Sequence, residues 1–186
     1  MYIVLIILAI LVVVVISIYN NLIKAKISAE TAWSDIDVQL QRRFDLIPNL
    51  VETVKGYMTH EQETLSKVTE LRSSWATAGT IKEKAELDTQ LTGALKTIMA
   101  VSENYPDLKA DVNFLNLSEE LRNTENKISF SRQFYNQSVQ RLNVSLQTFP
   151  SNIVASIFSI KADNLQLFEV ENDEMRQNIK VDFGNK

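Results

Sequence analysis

The sequence predicts an all-α protein: several antiparallel amphipathic helices in an up-and-down bundle, carrying an N-terminal transmembrane helix. Three observations lead there. Residues Met1 to Ile23 contain no Asp, Glu, Lys, Arg or His. From Trp33 onward, apolar residues recur at three- and four-residue steps, the period of an amphipathic helix. Only four Gly and three Pro interrupt 186 residues, too few for a turn-rich β-sandwich or a disordered linker protein. The expected division is an anchor over residues 1–23, a helical body over 24–160 and a polar, acidic tail over 161–186.

Every position from Tyr2 to Ile16 is apolar or aromatic, and fourteen residues between Tyr2 and Tyr19 are Val, Ile or Leu. At about 1.5 Å per residue this helix comes close to the ~30 Å hydrocarbon core of a bilayer. At roughly −0.3 to −0.6 kcal/mol for each such side chain, insertion is favoured by several kcal/mol with no charge opposing it. β-Branched residues weaken a helix in water, but in hydrocarbon the unpaired backbone of an open strand costs more. Tyr2, Ile3, Leu8, Val15 and Tyr19 mark the span, the two tyrosines at interfacial depth. A cleaved signal peptide wants a basic leader, a shorter apolar core and a small-residue cleavage site, and the segment has none of these. Lys24 and Lys26, then Arg42 and Arg43, follow the span. The positive-inside rule therefore puts the body in the cytoplasm and the N-terminus outside, in the cell (inner) membrane. No Gly/Ser/Pro-rich linker lies between Asn20 and Trp33, so the first helix of the body is expected to run on from the span.

In the body, Trp33, Ile36, Leu40, Phe44, Ile47, Val51, Val54 and Met58, then Leu65, Val68, Leu71 and Trp75, trace one long stripe with a kink expected at Pro48. Ala78-Gly79-Thr80 reads as a tight connection, and a shorter helix follows through Ala85, Leu87, Leu91, Leu95, Ile98 and Val101. Pro106 to Leu117 reads as a packed crossing loop with at most a turn of helix, with Leu108, Phe114 and Leu115 inward, ending at a Ser118 N-cap. A long helix then carries Leu121, Ile128, Tyr135, Val139, Leu142 and Leu146. Phe149-Pro150-Ser151 stops it, and Ser151 is expected to cap a last helix whose stripe is Ile153, Val154, Ile157 and Phe158.

Reactive constellations are missing. No Cys and a single His exclude thiolate chemistry, and His60-Glu61-Gln62-Glu63 lacks the second His that a helical zinc site needs. No glycine-framed serine or phosphate-cradling loop is present, so no catalytic residue, metal or cofactor is expected. A formal charge of −4 argues against a nucleic-acid partner. Arg43 lies beside the seam of Leu40, Phe44 and Ile47, and Glu125 flanks Leu121 and Ile128. The two are expected either to pair and fix helix register or to reach solvent separately. Arg42 and the acidic Glu169 and Glu171 offer a surface for a protein partner, or merely solubilising charge.

The block Arg42-Arg43-x-Asp45-Leu46-Ile47-Pro48-Asn49-Leu50-Val51, with Tyr105-Pro106-x-Leu108-Lys109-Ala110 and Phe149-Pro150-Ser151-Asn152 following it in order, resembles the LemA family of bacterial membrane-anchored proteins. The first of these blocks is the most specific, and the resemblance also runs through Tyr19-Asn20, Ala32-Trp33 and Ile36-Asp37-Val38-Gln39-Leu40 ahead of it. It continues in Gly56-Tyr57, His60-Glu61, Thr124-Glu125-Asn126-Lys127-Ile128 and Arg132-x-x-Tyr135-Asn136. The glycine-containing close of the family reads Ile157-Phe158-Ser159 here. The resemblance implies one N-terminal span, a four-helix bundle of mirror-variant topology, and no catalytic residue set.

The expected function is therefore that of an anchored interaction or scaffold module. Its partners are the lipid bilayer, a protein of unknown identity and, in one form, a second copy of the chain as a homo-oligomer. Two alternatives stay open: a membrane-associated enzyme or regulator with a dispersed polar site, and the same body displayed outside the cytoplasm.

Overall fold

The computed structural model describes residues 1–58, 60–163 and 165–168, and among these there are helices and no strands. They are α1 (Tyr2–Asp45), α2 (Ile47–Lys55), α3 (Gln62–Thr77), α4 (Ile81–Ser102), α5 (Pro106–Ala110), α6 (Val112–Gln147) and α7 (Ser151–Ile157). α1 passes from the apolar leader into the body without a break. Its 44 residues make a rod about 66 Å long at ~1.5 Å per residue. Met1 to Val14 lie wholly exposed along its first part, and buried positions begin only at Leu22.

α1 and α6 run antiparallel. Arg42 meets Glu120, Trp33 packs its ring on Tyr135 at 5.8 Å between centroids, and Leu22 clusters with Leu146. α4 runs in the same direction as α1, since Asp37 meets Lys84 and Arg43 meets Thr92. α3 and α4 form a hairpin across Gly79 and Thr80. Thr80 Oγ1 accepts from Glu83 N–H while the Glu83 carboxylate accepts from the Thr80 and Gly79 N–H groups. This capping box satisfies donors that the start of α4 would otherwise leave orphaned. One apolar core unites the stripes of these helices, from Ala29 and Ile36 through Leu91 and Ile98 to Ile128 and Val139. A second, smaller cluster of Leu22, Val154 and Ala155 lies where the exposed first part of α1 enters the body.

Local structure adds to the sequence reading and in places departs from it. The helix is interrupted at Leu46, two residues before Pro48, where the Leu46 N–H reaches back three residues to Arg43 O at 3.3 Å. Pro48 sits in the first turn of α2, where its missing N–H leaves nothing unpaired, so the disruption is relieved upstream of the ring. The long stripe also breaks at Gly56 to Glu61, because no apolar residue follows Met58 until Leu65. Pro106 to Leu117 is helical rather than a loop: α6 already starts at Val112, capped by Asp111, whose carboxylate accepts from Asn113 and Phe114 N–H. Ser118 is therefore interior to α6, and Leu115 points out at 51% exposure while Leu108 and Phe114 are buried. Ser151 is the first residue of α7 instead of its cap, and its hydroxyl donates to Thr148 O.

The start of the tail, whose order the sequence leaves open, is docked. Phe168 is buried against Trp33, and Asn136 clasps its backbone, donating from Nδ2 to Phe168 O and accepting from Phe168 N–H at Oδ1. Tyr135 donates its hydroxyl to Gln166 O at 2.6 Å. Most of the acidic tail, including Glu169 and Glu171, lies outside the described residues.

Candidate functional site

Three helices bring their charged residues to one point inside the body. Asp88 projects from α4 on the same stripe as Ala85, Leu91 and Leu95 and has no solvent exposure. Arg43 of α1, 3% exposed, donates from Nη1 to Asp88 Oδ1 at 2.6 Å and to Thr92 Oγ1 at 3.0 Å. Arg132 of α6 donates from Nη2 to Asp88 Oδ2 at 2.9 Å, and its guanidinium lies 4.4 Å from the centre of the Phe168 ring. Each carboxylate oxygen of Asp88 thus accepts from a different helix. Both oxygens accept from a guanidinium, the arrangement in which a carboxylate makes its strongest hydrogen bonds.

Glu125 closes the group from the rim. Its Oε2 lies 2.5 Å from Arg43 Nη1, yet the approach is not aligned as a hydrogen bond and the side chain is 40% exposed. The structure therefore places Arg43 against Glu125 and also against a fully enclosed partner, Asp88, which sequence reasoning missed. The available signal was a lone aspartate on the apolar seam of α4. Burial pushes the Asp88 carboxyl above its ordinary value, against the opposing pull of Arg43 and Arg132. Burial lowers Arg132, with Asp88 and Glu125 opposing. Two guanidiniums face two carboxylates, so the cluster neutralises itself, and its chemical capacity is to lock the register of α1, α4 and α6.

A neighbouring layer is aromatic. Phe44 and Trp75 stack at 4.5 Å between centroids, Trp75 Nε1 donates to Gln41 Oε1, and Lys84, paired with Asp37, holds its ammonium 4.8 Å from the Trp75 ring centre. Glu61 of the His60-Glu61 pair accepts from the Tyr105 hydroxyl at 3.0 Å, and His60 is exposed. Among the described residues no three His, Cys, Asp or Glu side chains converge as metal ligands.

The outer surface carries two features. Arg42 is half-exposed and paired with Glu120 at 2.7 Å, so its charge is already engaged. Between α1 and α6 a shallow groove is lined by Asp35, Val38, Gln39, Asn126, Lys127 and Phe130. Phe130 is 75% exposed there, with Phe134 one turn further along α6 also uncovered. Tyr2, Ile3 and Leu8 are exposed on α1, while Val15 and Tyr19 are half-covered by α7.

The LemA family model matches residues 32–183. The chain belongs to the LemA family. Among curated proteins it is similar to Protein LemA of Metamycoplasma hominis, 28% identical over 164 residues, covering 84% of this chain and 75% of that protein. It is also similar to Magnetosome protein MamQ 2 of Paramagnetospirillum magneticum and to Magnetosome protein MamQ of Magnetospirillum gryphiswaldense, each 24% identical over 169 residues. Those alignments cover 77% of this chain and 62% of each relative, so the chain spans less than two thirds of the MamQ proteins. The family blocks map onto the geometry: Arg43 and Arg132 are the two guanidiniums on Asp88, and Tyr135-Asn136 is the clasp on residues 166–168. This LemA-family chain is a membrane-associated helical protein with one N-terminal helix long and apolar enough to cross a bilayer.

Proposed function

We propose that the chain is a single-pass protein of the cell (inner) membrane whose body, a four-helix bundle of mirror-variant topology, is a non-catalytic interaction or scaffold module on the cytoplasmic face. The observation that carries the reading is a contrast. The internal charges are consumed in pairing with one another, whereas Val38, Phe130 and Phe134 present uncovered apolar area beside the groove between α1 and α6. Such a strip suits an amphipathic partner helix laid along it. Lys24 and Lys26 after the span support the cytoplasmic side.

The test is a photo-crosslinking amino acid at Phe130 in cells, compared with one at Lys82 on the distant exposed face of α4. A discrete adduct from position 130, absent from position 82 and lost with Phe134→Asp, is the expected result. Equal or absent adducts from both positions would refute the module. A reporter fused after Lys186 that is active only outside the cytoplasm would refute the orientation while leaving the module standing.

A further inference from the structure

α7 is packed against a part of α1 that the bilayer needs. Val154 and Ala155 of α7 cluster with Leu22, and Val15, Ile18, Tyr19 and Ile160 pack around them. The Tyr19 and Phe158 rings lie 4.9 Å apart. The stretch of α1 left free of any protein covering, Tyr2 to Val14, is only about 20 Å long at ~1.5 Å per residue. A hydrocarbon core of ~30 Å must therefore extend down to the level of Val15 to Leu22, where α7 sits.

The outward side of α7 suits that position. Phe149, Ile153 and Ile157 follow one another at four-residue intervals and are 79%, 50% and 70% exposed, with Phe158 beside them at 50%. From Leu142 to Ile160 the sequence has no Asp, Glu, Lys, Arg or His. Charge resumes at Lys161, which is exposed, as is Lys24 on α1. The neighbouring Lys26 is tied to Asp163 at 2.5 Å. Two uncharged segments from opposite ends of the sequence thus stop at the same height, each followed by lysine.

We infer that the Phe149–Phe158 segment is a second membrane contact, its Phe149, Ile153, Ile157 and Phe158 side chains inserted among the lipid chains beside α1, with Lys24 and Lys161 at the headgroups. Lipid is the occupant because the patch is continuous with the exposed surface of the span. The inference rests on the anchor and not on the scaffold role or on the side of the membrane. It makes α7 a stop that sets the depth and tilt of α1, so the body stands on the bilayer instead of hanging from it.

The chain has no Cys, so single-Cys variants of the full protein can carry an environment-sensitive fluorophore. The probe membrane is a vesicle of phosphatidylethanolamine and phosphatidylglycerol containing nitroxide-labelled lipid. Labels at Phe149→Cys and Ile157→Cys are expected to be quenched by the lipid several-fold more than one at Glu70→Cys on α3, and to match Leu8→Cys more nearly. Ile153→Asp is expected to shift the Phe149→Cys label toward water without changing the thermal unfolding midpoint, because Ile153 is half-exposed in the fold. Labels at 149 and 157 that behave like Glu70→Cys while Leu8→Cys stays lipid-quenched would overturn the inference. Disulfide formation between 157 positions of two copies without lipid quenching would overturn it in favour of a self-association surface. If Leu8→Cys is itself open to aqueous iodide, the anchor and this contact fall together.

Discussion

Asp88 shows how one side chain decides the arrangement of three helices. It is enclosed, it accepts from both Arg43 and Arg132, and among the described residues neither arginine has another fully buried anion. Removing its charge strands two guanidiniums in a site built to neutralise them, so Asp88→Asn should lower the unfolding free energy by about 3–5 kcal/mol. Glu125→Gln, at the solvent-exposed rim, should cost about 1 kcal/mol or less. Urea unfolding followed by circular dichroism in detergent measures both; equal costs would contradict the distinction between enclosed and rim carboxylates. Tyr135 gives the corresponding pH dependence. Its hydroxyl is buried and donates to Gln166 O, and burial raises it from 10.0 to about 12. A group whose folded pKa is raised stabilises fully below its unfolded value, so this contribution is intact below pH 10 and is lost as pH climbs through 12. Tyr135→Phe should forfeit about 1 kcal/mol at neutral pH and show a correspondingly shallower loss of stability across that alkaline window. A parallel decline in both proteins would assign the alkaline transition to other groups.

At the scale of helices, what was legible followed from periodicity, and what was not followed from capping chemistry or from contacts distant in sequence. The stripes of α4 and α6 identify core residues correctly because each apolar position meets one side of the helix. Residue type alone does not fix the start of α6, because Ser118 and Asp111 are both competent caps. The choice falls on Asp111, since Tyr105-Pro106 has already turned the chain and the following five-residue α5 leaves Asp111 extended, at φ −69° and ψ 123°. The partner of Arg43 was half legible. Helical phase points to Glu125 and also puts Asp88 on the apolar seam of α4, but that Asp88 is the residue Arg43 meets follows only from how α1 and α4 pack. The docking of residues 165–168 was hidden for the same reason, being fixed by Tyr135 and Asn136 some thirty positions away. The α3–α4 turn is the opposite case, since Thr80 and Glu83 stand at capping-box spacing in the sequence itself. Thr80→Ala should cost about 1 kcal/mol, measured as a lowered denaturation midpoint with an unchanged denaturant slope. A change in slope would mean that the turn, and not just the cap, had been lost.

For the whole molecule, the consequential feature is that α1 belongs to two environments. Its first half is exposed and apolar, its second half is buried against α6, and the helix runs unbroken from Tyr2 to Asp45. No glycine or proline falls within it, so the residues around Asn20 to Lys26 carry no inherent hinge. α7 braces that same region through Leu22 and Tyr19. Force or tilt imposed on the span is then transmitted to Arg43 and the charge cluster as rigid-body motion, without being absorbed in a linker. Spin labels on Leu11→Cys and Val38→Cys are separated by 27 residues of α1, about 40 Å at ~1.5 Å per residue. In vesicles the distance distribution should be a single narrow peak near that value. Inserting Gly-Gly after Ile23 should broaden it and shift weight to shorter distances. A broad distribution in the unmodified protein would show that span and body are hinged, and with a hinge the groove beside Phe130 would have no fixed orientation toward the membrane.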